Sequence, residues 1–178
     1  MLTARSIIEG TDDELEMMRL METAFPPNEQ ATLEFLTTQA KRDEVTLLAY
    51  RDEGRFCGFA FMIEGTDLVY VLYLAVDETL RSKGYGARML ADIELHFPGK
   101  TITLDIEPVE EAAPNVVQRK KRREFYLRNG FIPTGWINCC GDDRFEVFAK
   151  GPDFEPNRFL SLINELPEGP DKTLARAD

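Results

Sequence analysis

The chain has 178 residues, 43% of them hydrophobic, and a formal net charge of −11. This length and this apolar fraction fit one α/β domain with a sizeable core. So acidic a chain argues against nucleic acid as a partner, because phosphates repel a negative surface. No apolar run approaches the roughly 18 residues that span a bilayer, and the N-terminus lacks the pattern of a secretory signal. We therefore expect a cytoplasmic protein without a membrane partner.

The cysteines and the histidine do not form a recognisable site. Cys57, Cys139 and Cys140 are irregularly spaced and odd in number, which does not fit a disulfide framework. His96 is the one histidine and has no partner at metal-ligand spacing. We expect packing cysteines and no metal.

The first part of the chain is predicted to form a short strand and two helices. Residues 5–9 are a β candidate. The hydroxyl of Thr11, followed by acidic residues, is typical of a helix start, and Pro26-Pro27 ends that helix. Leu33 and Leu36 are the apolar positions of a second helix, residues 31–40.

The pattern then predicts three consecutive strands, at residues 45–50, 55–63 and 68–76. Asp52-Glu53-Gly54 suits the hairpin turn between the first two. The third is an almost continuous apolar run, which is typical of a central strand buried on both faces.

The remaining elements alternate between helix and strand. The spacing predicts helices at residues 84–97 and 116–129, the latter closed by Gly130, with a strand at residues 101–106 between them. A hairpin (131–140 and 145–150) and a weak helix (159–166) follow, and from about Pro167 we expect a frayed end.

The junction between strand 68–76 and the next helix carries the first chemical signal. The strand ends in Leu74-Ala75-Val76, and Arg81-Ser82-Lys83-Gly84-Tyr85-Gly86 opens the helix. Unpaired N–H groups and the positive end of a helix dipole can hold a pyrophosphate. The loop lacks the Gly-Lys-Ser/Thr ending of a P-loop and the three glycines of a dinucleotide fingerprint. Similar glycine pairs also occur in proteins that bind nothing.

A second motif lies at the end of the following long helix, Phe125-Tyr126-Leu127-Arg128-Asn129-Gly130-Phe131. Together with the Arg-x-x-Gly-x-Gly loop, it resembles the GNAT acetyltransferase superfamily, over about residues 3–150. The resemblance implies an α/β (α+β) GNAT fold. Its mixed central sheet has about six to seven strands, a splay between the fourth and fifth strands, and about four flanking helices. The implied domains are a GNAT domain, 1–150, and an extension, 151–178, with one short helix and a frayed end.

The resemblance also implies acetyl-CoA as co-substrate. Pantetheine would add to the splayed strand like an extra strand, and the Val76 amide would stabilise the oxyanion. The implied cofactor-binding residues are Leu74, Val76, Arg81, Ser82, Lys83, Gly84, Tyr85, Gly86, Ala87 and Arg119. Many members of the family have asparagine where this chain has Arg119, seven residues before Tyr126, so the arginine is a departure from the pattern.

Two residues are the predicted catalytic groups. Tyr126 matches the family tyrosine near the thioester sulfur and would protonate the leaving thiolate; the alternative is a packing tyrosine. Glu107 follows strand 101–106 and would accept the proton of the amine; the alternative is an exposed acid at a strand end. Glu22, Glu29, Tyr70 and Tyr73 are unranked candidates for the acceptor pocket.

The predicted function is acyl transfer, with acetyl from acetyl-CoA passing to a primary amine by direct attack. The acceptor is a small-molecule or peptide amine, and a homodimer remains open. The acidic charge favours a cationic acceptor, although acidity also serves solubility alone. The alternative function is a non-catalytic acyl-CoA-binding sensor or scaffold module.

Overall fold

Eight β-strands and five α-helices form in residues 1–167 and 169–177, the part of the chain that the computed structural model describes. They belong to two compact units. The first unit comprises Met1–Glu64 and Val71–His96, and the second comprises Gly65–Tyr70 and Phe97–Asp178. None of the helices in the described part is both long enough and apolar enough to cross a membrane.

The first unit contains three helices and most of four strands. Their bounds are β1 (Leu2–Ser6), α1 (Asp12–Ala24), α2 (Leu33–Gln39), β2 (Val45–Asp52), β3 (Arg55–Glu64), β4 (Leu68–Val76) and α3 (Tyr85–His96). Its core is built on β3, which is buried at every position between its two ends. Met17 and Met21 of α1 are fully buried, and Phe35 of α2 stacks on Phe61 of β3 at 6.0 Å between ring centroids.

The second unit holds the first residues of β4, the other four strands and two helices. These are β5 (Thr101–Ile106), α4 (Val116–Arg128), β6 (Ile132–Cys140), β7 (Asp143–Lys150), α5 (Pro156–Ile163) and β8 (Lys172–Arg176). Phe148 and Phe159 are completely buried in this unit, and Phe131 is 1% exposed. A second aromatic core therefore supports these strands.

The strand order is β1-β2-β3-β4-β5-β7-β6-β8. β1 pairs antiparallel with β2 and β2 with β3, whereas β4 and β5 run parallel. The ladder between β4 and β5 extends from the pair Leu68 and Thr101 to the pair Tyr70 and Thr103, and no further. The sequence predicted a splay between the fourth and fifth strands, and the short ladder confirms it.

Most predicted elements are confirmed with bounds that agree within about two residues, but two begin three residues earlier than predicted. β1 lies at Leu2–Ser6 instead of 5–9. Four of its five residues are exposed, so no apolar alternation marks it in the sequence. α5 begins at Pro156 instead of 159, because the side chain of Glu155 accepts hydrogen bonds from the N–H groups of Asn157 and Arg158 and Pro156 suits the first helical position.

The expectation of a frayed C-terminal end is wrong for residues 172–176, which form β8 and pair with β6. The guanidinium of Arg176 lies 4.1 Å from the ring centroid of Trp136. An edge strand held by a backbone ladder needs no apolar pattern, and this is why the sequence predicted seven strands at most. Of the same segment, Glu168 and Asp178 lie outside the described residues. The domain boundary after residue 150 stays a prediction.

A buried carboxylate ties α1 to the first two strands. The side chain of Asp13 is 3% exposed and accepts hydrogen bonds from Arg5 of β1 and, at 2.6 Å, from Arg51 of β2. Burial acts to raise the pKa of Asp13, but the two guanidinium groups outweigh it and hold that pKa below its usual range. The folded state therefore favours the charged carboxylate.

We predict that Asp13→Asn lowers the free energy of unfolding by about 2 kcal/mol at pH 7, because charge-assisted hydrogen bonds are lost. A carboxyl with a depressed folded pKa stabilises above its unfolded pKa of about 3.9, and this stability disappears as the pH falls through the folded value. Urea unfolding at pH 7 and pH 3 should thus show a smaller difference from wild type at pH 3. Asp12→Asn, an exposed site in the same helical turn, is the control; equal losses in both variants would contradict the ion-pair account.

Candidate functional site

The end of β4 lies unusually close to β3. A Cβ atom on Gly58 of β3 would be 2.1 Å from the carbonyl oxygen of Ala75, a distance that no side chain tolerates. One residue after β4, the N–H of Asp77 donates to the carbonyl of Cys57 at 2.9 Å. Two of the predicted cofactor residues, Leu74 and Val76, are half-buried on this segment. The glycine and the hydrogen bond therefore fix the backbone that carries them.

A turn with left-handed residues leads from β4 into α3. Ser82 and Gly84 have φ angles of 62° and 80°. Glycine adopts such angles without strain, whereas serine does so rarely. The first hydrogen bond of the helix runs from the N–H of Arg88 to the carbonyl of Gly84, at 3.2 Å.

The first turn of α3 has unpaired donors. The N–H groups of Tyr85, Gly86 and Ala87 donate no hydrogen bond to any residue of the described part. Arg81 and Lys83, just before the helix, are exposed. Free amides, the positive end of the helix dipole and two cations together suit a phosphate group.

The side chain of Tyr85 points at other groups of the same unit. Its hydroxyl donates to Asp52 of β2 at 3.0 Å, and the guanidinium of Arg88 lies 4.1 Å from its ring centroid. Asp52, ahead of the other causes, raises the pKa of Tyr85. The phenol therefore fixes the first turn of α3 against β2, so any contribution of this residue to anion binding comes from its backbone.

In the second unit, Tyr126 lies in the last turns of α4. Its side chain is buried between Phe125 and Phe131, with ring centroids 5.0 and 5.7 Å away. Burial raises its pKa to about 12; Arg122 acts in the opposite direction and Asp105 in the same one. The phenol therefore keeps its proton at neutral pH, and its hydroxyl makes no hydrogen bond with the described residues.

Glu107 and Arg119, both predicted as site residues, form an ion pair. Oε1 of Glu107 accepts from Arg119 at 2.9 Å, and Oε2 accepts from Arg122 and from Asn115, both at 3.3 Å. Arg119 also donates to Asn115 at 2.8 Å and to the carbonyl of Pro108 at 2.9 Å. These contacts fasten the first half of α4 to the end of β5.

Further along α4, two more cations of the basic run have acidic partners. Lys120 lies 2.7 Å from Glu111, and Arg123 lies 3.2 Å from Glu146. The run at residues 119–123 is therefore largely neutralised within the chain, which makes it less attractive to a polyanion than its sequence suggests.

The sequence analysis missed one residue with an unusual environment. Asp105, half-buried in β5, accepts a hydrogen bond from the hydroxyl of Tyr70 at 3.0 Å and one from Nδ2 of Asn138 at 2.7 Å. Burial raises its pKa, against the effect of these two hydrogen bonds. One sequence signal could have identified it. Asp105 is the one carboxylate in the strand Thr-Ile-Thr-Leu-Asp-Ile, whose other side chains are apolar or carry a hydroxyl group.

Comparison with protein families gives one match. Residues 42–133 match the family model described as an acetyltransferase (GNAT) domain. Among curated proteins, none matches the chain at a significant level.

Solved structures give similar folds over most of the chain. An acetyltransferase of the GNAT family from Bacteroides thetaiotaomicron is 26% identical, with a TM-score of 0.70 over 90% of this chain and 93% of its own. The ribosomal-protein-S18-alanine N-acetyltransferase of Escherichia coli is 18% identical, with a TM-score of 0.62 over 87% and 97%. An aminoglycoside 6'-N-acetyltransferase complexed with coenzyme A is 17% identical, with a TM-score of 0.64 over 86% and 99%. At identities of 18% and 17%, the last two show that the fold is similar.

We predict that Gly58→Ala destabilises the protein by about 2–3 kcal/mol, because the added methyl group overlaps the Ala75 carbonyl and the strands must separate. Chemical denaturation measures this. Gly65→Ala is the matched control, since a Cβ there meets its nearest atom at 3.4 Å. If both variants unfold at the wild-type denaturant concentration, the close approach of β3 and β4 does not constrain the chain.

Proposed function

The chain belongs to the GNAT acetyltransferase family, and we propose that it transfers an acetyl group from acetyl-CoA to a primary amine by direct attack. The observation that carries this proposal is Tyr126, a buried phenol that keeps its proton at neutral pH and has no hydrogen-bond partner in the described part of the chain. The hydroxyl of Tyr50 also lacks a partner, but it is fully buried, whereas the Tyr126 hydroxyl is not among the fully buried side-chain atoms without a partner in the described part of the chain. A proton donor for a leaving thiolate must keep its hydroxyl available in this way.

The first unit supplies the groups proposed to bind acetyl-CoA. The N–H groups at the start of α3 would donate hydrogen bonds to the pyrophosphate, with Arg81 and Lys83 adding positive charge. Leu74 and Val76 belong to the part of β4 that has no ladder partner in β5, so an extended pantetheine could pair with its backbone. The Val76 amide would then donate to the developing oxyanion. The aminoglycoside acetyltransferase of similar fold, complexed with coenzyme A, supports this choice of co-substrate.

The roles predicted for Glu107 and Arg119 remain proposals with an added requirement. The carboxylate of Glu107 and the guanidinium of Arg119 form an ion pair with each other. For Glu107 to accept a proton, or for Arg119 to bind a phosphate, this ion pair must open. Their contacts also suit a positioning role, because they fix α4, which carries Tyr126, to β5.

The proposed acceptor is a cationic amine, either a small molecule or a peptide. The net charge of −11 supports this, because an acidic surface attracts a cation and raises its local concentration. The two low-identity structural neighbours act on amines of both kinds, an aminoglycoside and the alanine of a ribosomal protein. Release of free thiol from acetyl-CoA with a panel of both classes tests the choice. Acetyl-CoA binding without thiol release would favour a sensor or scaffold module.

We predict that Gly86→Glu lowers the affinity for acetyl-CoA at least about tenfold, because a carboxylate in the first turn of α3 repels the pyrophosphate and occupies its space. Isothermal titration calorimetry measures the dissociation constant. Leu95→Glu is the matched control: it adds the same charge to the same helix at a site that is 81% exposed, near the other end. Unchanged affinity in a folded Gly86→Glu variant would remove this helix start from the site.

We predict that Tyr126→Phe lowers kcat by about 10²-fold, because the thiolate then leaves without a proton donor. The dissociation constant for acetyl-CoA should stay within about twofold, since the hydroxyl acts on the leaving group and not on the bound ground state. Steady-state kinetics and calorimetry give the two quantities. Tyr50→Phe, at a fully buried tyrosine of the first unit, controls for loss of a phenol hydroxyl. Wild-type turnover in Tyr126→Phe would make this residue a packing residue only.

A further inference from the structure

The carboxyl of Asp105 accepts hydrogen bonds from two side chains that have no role in the mechanism proposed above. Tyr70 pairs with Thr103 in the parallel ladder, so their side chains and that of Asp105 lie on one face of the sheet. The ring of Tyr70 packs edge-on against Phe159 of α5, with centroids 5.5 Å apart, which fixes its hydroxyl at Asp105. Asn138 of β6 reaches the other carboxyl oxygen.

We propose that Asp105 accepts the proton of the acceptor's ammonium group, and that Tyr70 and Asn138 bind its carboxyl both before and after protonation. This assignment deepens the proposed function and rests on it. It gives the role of general base to Asp105 instead of Glu107, whose two carboxylate oxygens already accept hydrogen bonds from arginines.

Asn138 gives the cluster a way to hold the proton. This residue is 3% exposed, and its Oδ1 is a buried polar atom without a hydrogen-bond partner among the described residues. While Asp105 is ionised, Nδ2 donates to the carboxylate. Once Asp105 is protonated, a half-turn of the amide group lets Oδ1 accept the carboxyl O–H. In either state one polar atom of the Asn138 amide lacks a partner. The charge-assisted hydrogen bond to the ionised carboxylate is the stronger of the two, so Asn138 acts to lower the pKa of Asp105.

The groups around Asp105 set its basicity. Tyr70 faces it from β4, Asn138 from β6, Tyr126 from α4 and Lys172 from β8. Burial raises the pKa of the carboxyl, whereas the hydrogen bonds from Asn138 and Tyr70 and the charge of Lys172 act to lower it. A base is most effective when its pKa approaches the working pH, and an unperturbed aspartate at about 3.9 is too weak. Burial therefore moves Asp105 in the direction that catalysis needs.

The protons balance over the reaction. The carboxylate of Asp105 takes one proton from the ammonium group and leaves a neutral amine. The amine nitrogen forms its bond to the thioester carbonyl carbon, and the carbon–sulfur bond then breaks. Tyr126 gives its proton to the departing thiolate and recovers one from the new amide nitrogen. The products are the amide, the free thiol and the proton on Asp105, which passes to solvent.

The test is the pH dependence of kcat/KM, measured with one amine acceptor for the wild type and for Asp105→Asn, Tyr70→Phe and Asn138→Leu. Asp105→Asn should lose about 10²–10³-fold at neutral pH. Tyr70→Phe and Asn138→Leu each remove a hydrogen bond to the ionised carboxyl, so the acidic limb should move to higher pH by about one unit. The acceptor's own ionisation is common to all variants, and therefore does not contribute to that shift. Tyr50→Phe is the control and should keep the wild-type midpoint.

Asp105→Asn should remain folded. The folded pKa of Asp105 is raised, so its ionisation lowers stability as the pH rises through that value. The neutral amide should therefore have a Tm at pH 8 equal to or above that of wild type, measured by circular dichroism.

The inference is overturned if Asp105→Asn keeps the wild-type kcat/KM, or if Tyr70→Phe and Asn138→Leu leave the midpoint in place. It is also overturned if Glu107→Gln removes the acidic limb while Asp105→Asn retains it. Each of these results requires an active wild type, so they differ from failure of the proposed function, in which the wild type acetylates no amine of the panel.

Discussion

The parallel ladder between β4 and β5 is three pairs long, and the proposed chemistry depends on where it stops. From residue 71 to Val76, β4 has no ladder partner in β5, and an unpaired strand edge is a template for an extended ligand. Gly58 keeps β3 against β4 as far as Ala75, so this segment stays extended up to the residue whose amide we assign to the oxyanion. A longer ladder would leave no such edge.

The same end of the ladder organises the polar groups of the second unit. Tyr70 and Thr103 form the last pair, and Asp105 follows on the same face within reach of the Tyr70 hydroxyl. Immediately after β5, Glu107 accepts hydrogen bonds from two arginines of α4 and so fixes the helix that carries Tyr126. Two carboxylates only two residues apart therefore have different environments. Asp105 accepts hydrogen bonds from neutral groups and has a raised pKa, whereas Glu107 is bound by guanidinium groups. This difference is our reason for separating the base from the positioning residue.

The sequence predicted the features whose cause is local. β3 and β4 are marked by nearly continuous apolar runs because most of their residues are buried, and α3 has helical periodicity because one of its faces is buried. The helix start at Gly84 is encoded within a few residues. β1 and β8 were misplaced or missed, because polar edge strands are held by backbone pairing. Asp105 was missed for a similar reason. Its partners, Tyr70 and Asn138, are 35 and 33 residues away along the chain, and only the sheet register brings them together.

Amide hydrogen exchange with and without acetyl-CoA tests the central claim, that the co-substrate pairs with the open edge of β4. The account predicts that peptides covering residues 71–76 exchange more slowly at saturating acetyl-CoA, whereas those in β2, which already pairs on both sides, keep their rates. Slower exchange in the loop at residues 81–87 alone, with β4 unaffected, would contradict strand addition. Unchanged exchange in both segments would contradict acetyl-CoA binding at this site altogether.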